Sequence, residues 1–287
     1  MKYKYLFILL FVVLNSYATQ TETIHSSFST YGEIKEYSHS KQKKDGAAFG
    51  LGADIHYLDV TYKFLYEAAM ANTYQPPLKE DLKVQKVFLQ YGYNINPSLY
   101  LHINYINILD DNIAITTHGE VYGIGLGYKF NKQYFLDVSQ YYTDYYDFSV
   151  MQSDLKLNYK FSFNTVGMKI TSITKYLNLS EKNKNAFTKN AKDSYLTSGI
   201  KVHAHYDSYH VGVGAYFGKR AFAIMYDGFK VQHHAMEFDR TYAIGIGKNI
   251  SDYVLRFQYI YQRATELPIK NTKVTMAISR LTLNYKF

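Results

Sequence analysis

A chain of 287 residues with 32 tyrosines, 18 phenylalanines, four prolines and neither cysteine nor tryptophan has no thiol for a disulfide or a thiolate metal site, and its aromatics are spread through polar segments rather than gathered in aliphatic core runs. Beyond Ala18 no apolar stretch approaches the roughly twenty residues a spanning helix needs, which excludes a helical membrane protein. The net charge of +8 is modestly basic and by itself selects no partner.

In chain order, Lys2 and Lys4 precede an apolar run from Tyr5 to Leu14, and Ser16-Tyr17-Ala18 supplies small residues where a signal peptidase reads. Residues 1–18 are therefore expected to be a cleaved signal peptide, because a core of about ten residues is too short for an anchor. Residues 19–287 then form one unit. From Ser26 onward apolar and polar residues alternate with the period of a strand. Tyr122, Ile124, Leu126, Tyr128 and Phe130 oppose Gly123, Gly125, Gly127 and Lys129. Tyr253, Leu255, Phe257, Tyr259 and Tyr261 oppose Arg256, Gln258 and Gln262.

Tight connections are expected near Tyr57, at Asn96-Pro97, at Asn131-Lys132, at 162–164, at Gly218-Lys219 and at 248–251. Longer polar stretches fall at 38–45, 72–81, 110–118, 144–149, 178–203, 232–237 and 266–272. Short turns alternating with long loops indicate an all-β fold, a transmembrane antiparallel up-and-down β-barrel of about fourteen strands. The stretch 198–209 leaves the count open: a separate hairpin there would give sixteen, and twelve is the lower alternative. Fourteen strands about 4.8 Å apart close at a backbone diameter near 28 Å, room for a water-filled path.

Phase assigns Asp54, Asp59, Lys63, Glu67, Lys86, His102, Asp137, Lys156, Lys160, Lys169, Arg256 and Arg280 to the wet inner face. The candidates for selectivity are Lys63, Lys86, Asp137, Lys156, Lys160, Lys169, Arg256 and Arg280, and the basic excess predicts a weak anion preference. His203, His205 and His210 beside Asp207 and Ser208 suggest a nucleophile constellation, but residues two apart on a strand stand about 6–7 Å from one another, so rim histidines are expected. His233-His234 point opposite ways on a strand and find no third metal ligand. The Gly-x-Gly runs open no helix and are read as curvature devices. Tyr141, Tyr142, Tyr145, Tyr146 and Phe148 are read as an interfacial girdle in preference to a binding site. The basic, Asn-rich loop after 178 is expected to be solvated or to rest on lipopolysaccharide.

Leu281, Leu283, Tyr285 and Phe287 share one face at the end of the chain. Arg280, Tyr285 and the terminal Phe287 resemble the closing signature of Gram-negative outer-membrane barrels, with Thr282 where glycine is usual. By length and strand count the chain looks like the monomeric fourteen-strand porins of the outer-membrane porin G type. The resemblance implies the cell outer membrane, recognition by the barrel-assembly machinery through Arg280, Tyr285 and Phe287, and diffusion of small hydrophilic solutes. Partners would be the lipid bilayer and lipopolysaccharide, with no nucleic acid, no cofactor, no metal and no enzymatic activity. The alternatives are a non-conducting barrel with ligand- or surface-binding loops, as an adhesin or structural element, and then a barrel phospholipase.

Overall fold

The computed structural model describes residues 24–75, 78, 80–111 and 115–287; the expected signal peptide at 1–18 lies outside the described residues. The strands are β1 (His25–Ser38), β2 (Lys43–Tyr57), β3 (Val60–Thr73), β4 (Leu82–Asn96), β5 (Leu99–Asp111), β6 (Glu120–Lys129), β7 (Tyr134–Asp144), β8 (Ser149–Phe163), β9 (Val166–Ser180), β10 (Ser194–Tyr206), β11 (Tyr209–Arg220), β12 (Ile224–Met225), β13 (Lys230–Val231), β14 (Met236–Ile250), β15 (Tyr253–Glu266) and β16 (Asn271–Lys286). All but β12 and β13 join one closed antiparallel barrel of fourteen strands, shut by β1 against β16. Closure leaves no unpaired edge, the condition for backbone to cross hydrocarbon.

Period-two alternation becomes an outer apolar skin and a polar interior. On β6, Tyr122, Ile124, Leu126 and Tyr128 are exposed outward, as are Tyr253, Leu255, Phe257, Tyr259 and Tyr261 on β15. Several inward glycines accept a neighbour's ring. Tyr31 lies over Gly50, and Tyr141 lies over Gly123, where a Cβ would come 2.5 Å from the ring. The sequence's Gly-x-Gly runs thus let large inward side chains lie flat against the wall.

The strand count agrees with expectation, but one turn is misplaced. The connection after β10 is the tight pair Asp207-Ser208, and β11 runs straight through Gly218-Lys219. Gly218 has φ +93°, and the register slips between Phe217 and Arg220. This is a bulge rather than a turn, and both use glycine for its left-handed backbone. β10 belongs to the barrel from Ser194, paired with β9 and β11, so the loop expected at 178–203 shrinks to 181–193 and the sixteen- and twelve-strand alternatives fall.

The consequence is residues 221–235. Expected partly as strand and partly as outer loop, they instead fold into the barrel, with β12 and β13 as a two-stranded hairpin. Phe222, Ala223, Ile224 and Val231 are buried in an apolar cluster with Phe88, Ile106, Tyr141, Tyr145, Phe148 and Leu177 from the wall. Tyr145 stacks on Phe148 at 4.6 Å, and Phe222 meets Phe148 edge-on at 4.8 Å. Tyr141, Tyr145 and Phe148 are therefore core residues holding this insert; of the five aromatics read as girdle, only Tyr142 and Tyr146 are exposed.

Candidate functional site

The insert leaves the wall between β11 and β14 and reaches the side of the barrel directly opposite, β4 and β5. Gln152 on β8 holds its first strand by a pair of bonds: its Nε2 donates to the Ile224 carbonyl and its Oε1 accepts the Ile224 amide, each 2.8 Å. At the tip, Gln90 Nε2 donates to the Asp227 carbonyl at 3.2 Å, and Gly228 packs on Asn104, where a Cβ would stand 2.8 Å from Oδ1. Tyr226, Asp227 and Gly228 are all left-handed, at φ 53°, 57° and 94°. Two of them carry side chains, a backbone cost of about 1–2 kcal/mol apiece that surrounding contacts must offset.

Charge fastens the tip as well. Lys156 Nζ lies 3.0 Å from Asp227 Oδ2 and 3.7 Å from Asp137 Oδ1, while Lys230 Nζ lies 3.4 Å from Glu33 Oε1. Lys201 Nζ sits 5.1 Å from the centre of the Tyr226 ring, and Lys63 Nζ 5.9 Å from that of Phe229. At the insert's root Arg220 is wholly buried between Tyr216 and Phe238 and donates to Thr241 Oγ1 at 2.5 Å.

The inward charges expected from phase do face inward, except Asp59, which lies in the turn before β3. Most are paired with an acid directly opposite on the adjacent strand: Lys63 with Asp54, Lys86 with Glu67, Lys156 with Asp137 and Arg280 with Glu33. Lys86–Glu67 and Arg280–Glu33 are close contacts, and Glu33 also takes Lys35 at 3.2 Å. Asp137 accepts from Ser139 at 2.9 Å and meets His102 Nε2 at 3.1 Å. Phase reasoning missed Lys175, paired with Asp154 in the same way, and Glu33, Lys201 and Lys230. Lys201 stood inside the loop then expected at 178–203, although Tyr195, Thr197 and Gly199 alternate with Leu196, Ser198 and Ile200 just before it.

Below the insert, toward the tight-turn end, a cavity of about 1050 Å³ remains. Lys132, Lys160, Lys169, Lys201, Lys230, Arg256 and Arg280 line it, and no carboxylate does. His203, His205 and His210 also reach it. His205 and His210 stack at 4.5 Å, and His210 Nε2 meets Asn249 Oδ1 at 2.8 Å, whereas the Ser208 hydroxyl donates to Asp207 Oδ2 at 3.3 Å. His203, His205, His210, Asp207 and Ser208 assemble no serine–histidine–acid relay. Among the described residues no three His, Cys, Asp or Glu side chains converge as a metal site.

The shape of the whole is decided by closure, strand number and the apolar outer skin. Its fold is that of an outer-membrane β-barrel. A structure described as a bacterial polysaccharide outer membrane secretin superposes with a TM-score of 0.57 at 10% identity, over 91% of this chain and 98% of that one. Omp33 of Acinetobacter baumannii gives 0.49 at 10%, over 92% and 99%, and OccK8 (OprE) of Pseudomonas aeruginosa gives 0.44 at 12%, over 92% and 98%. At 10% identity the likeness to the first of these concerns architecture alone. No protein-family model matches the sequence, and no curated protein does.

One group on the insert makes its docking sensitive to acid. Burial, with Lys43, His233, Lys35 and Lys86 facing it, holds the His234 imidazole well below its ordinary value, and its Nδ1 has no partner among the described residues. The docked state thus carries a neutral ring, while an undocked ring in water takes a proton near pH 6.5. The His234 contribution to docking is fully present above about pH 6.5 and falls below it, by up to about 1.4 kcal/mol per pH unit. Proteolytic cleavage within 221–235 is expected to speed up between pH 7 and pH 5, and His234→Gln should flatten that dependence; equal rates at both pH values in the unmodified protein would contradict it.

Proposed function

We propose that the protein is an outer-membrane channel for small hydrophilic solutes, with a preference for anions set at the turn end of the lumen. The observation that carries this is the cavity of about 1050 Å³ with seven cationic side chains on its lining, of which Lys230 and Arg280 are bound to Glu33, and no carboxylate. An excess of one charge sign in a confined aqueous passage concentrates the counter-ion. Solutes pass where the insert's polar tip meets the wall, since Lys156 and Asp227 line that seam and hydrate readily when they part. Phe287 supports assembly: its backbone exchanges bonds with Ser26 at 3.0 and 3.2 Å across the closing seam, and with Tyr285 it presents rings outward. Neither lipopolysaccharide contact nor recognition of Arg280, Tyr285 and Phe287 by assembly factors is needed for the channel reading; both remain part of the proposal.

A second reading is favoured by the apolar cluster of the insert with Phe88, Phe148 and Leu177, which fills the loop-side lumen. On that reading the barrel does not conduct and its outer loops serve binding. Proteoliposome swelling separates the two. The channel reading expects swelling in small zwitterionic and anionic solutes that grows with protein content; rates equal to those of empty liposomes would favour the closed barrel.

A further inference from the structure

We propose that the turn-end wall formed by β8, β9 and β10 is a binding site for a compact multivalent oxyanion, of the pyrophosphate or polycarboxylate kind. The inference deepens the channel reading and rests on it for a water-filled lumen. Its ground is a pairing of like charges that stands apart from the acid–base pairs elsewhere in the barrel. Five inward cations, Lys63, Lys86, Lys156, Lys175 and Arg280, each stand directly opposite an acid on the adjacent strand. Lys160 stands directly opposite Lys169, another cation, and Lys169 stands opposite His203. Like charges placed across a strand pair oppose folding. A wall that needed only to be wet would interleave acids here too.

Spacing gathers these groups into one patch. Neighbouring strands lie about 4.8 Å apart and residues two apart on a strand about 6.6 Å, so Lys160, Lys169 and His203 form a row about 10 Å long, and Lys201, two residues from His203 on the same face, lies roughly 12 Å from Lys160 at the far corner. Lys160 and His203 are open to the lumen and Lys169 and Lys201 are half-buried, and no carboxylate among the described residues pairs with any of the three lysines. A dianion or trianion reaching two or three ammonium groups at once satisfies them as no single chloride can.

The adjoining wall leaves it room. Several inward glycines elsewhere are covered by rings, as Gly50, Gly123 and Gly199 are by Tyr31, Tyr141 and Tyr216. Gly214 and Gly245, on β11 and β14, have no ring over them: an added Cβ would meet the Lys201 stem at 3.2 Å in one case and a backbone oxygen at 3.2 Å in the other. The result is a bare backbone floor with the lysine patch on one side. Arg256 closes the other side, its stem lying over Gly247. A planar or tetrahedral oxyanion can lie against such a floor with cations at both flanks.

The test is calorimetric titration of the detergent-solubilised barrel at low salt with sodium pyrophosphate and with sodium citrate, using acetate as the monovalent control. Expected is saturable binding of at least one multivalent anion, at least about tenfold tighter than acetate and weakened by added salt. The Lys160→Gln/Lys169→Gln variant should lose that binding by about tenfold or more, and Arg256→Gln by less, while Lys189→Gln in the outer 181–193 loop should leave it unchanged. Because the double variant removes a repulsion, it should also resist heat at least as well as the unmodified protein without ligand, and gain nothing when ligand is added. A response to pyrophosphate alone identifies a phosphate-type site, and a response to citrate alone a carboxylate-type one. Absence of binding, or binding undiminished in the folded double variant, overturns the proposal. Binding without solute flux would uphold the site and reject the channel; flux without binding would do the reverse.

Discussion

Replacing residues 222–234 by a short glycine–serine turn will raise single-channel conductance, by about threefold or more, because the insert crosses the full bore between β11/β14 and β4/β5 and a fourteen-strand barrel without it is open to about half its backbone diameter. The change also removes four left-handed residues, at 222, 226, 227 and 228. The apolar side chains it deletes, Phe222, Ile224, Met225 and Val231, each contribute roughly 1.5–3 kcal/mol to docking the insert, but the barrel's own strand ladder does not depend on them. The variant should therefore stay folded and heat-resistant in detergent. A gentler change, Lys156→Gln, severs the contact with Asp227 and should produce brief openings of the same amplitude. Conductance unchanged by the replacement would mean that ions never use the lumen.

Glu33→Gln will destabilise the barrel by about 3–5 kcal/mol, the cost of leaving buried partner charges uncompensated. The Glu33 carboxylate has no exposed side-chain surface and gathers Lys35, Lys230 and Arg280 around it. It also joins the closing strand pair to the insert, since Arg280 lies on β16 and Lys230 on β13. Loss of heat resistance on gels and a lower urea midpoint after reconstitution would report the effect. Pairing Glu33→Gln with Arg280→Met removes acid and base together and should recover part of the loss. A Glu33→Gln protein as stable as the parent would show that water in the lumen screens the cluster.

How far these features were legible depended on whether they were local. Period-two alternation assigned Lys63, Lys86, Asp137, Lys156, Lys160, Lys169, Arg256 and Arg280 to the inner face, because a strand has only two faces and one of them meets lipid. Pairing was beyond reach. Register across strands separates Lys160, opposite another lysine, from Arg280, bound to Glu33, and no single strand carries that information. Of the two inward arginines on β15 and β16, Arg256 and Arg280, Arg256 is therefore the one free to act on ions in the lumen. The misplaced turn has a similar origin. Gly218-Lys219 and Asp207-Ser208 both read as turns, and the bulge at Gly218 needs the same positive φ that a turn would. That choice decided whether 221–235 was read as wall or as insert. Its residues Phe222, Ile224 and Val231 suit either setting, being buried in the lumen where they would have faced lipid.

The channel reading has an acid-free basic wall set the traffic of a water-filled lumen. Its most direct measurement is the reversal potential of the unmodified protein in a planar bilayer under a potassium chloride gradient, with about 0.1 M on the dilute side, where the screening length is about 10 Å. The expected potential has the sign given by chloride preference, shrinks at higher salt and inverts in Lys160→Glu/Lys169→Glu; cation preference in the unmodified protein, or a potential indifferent to that double substitution, would refute the channel reading.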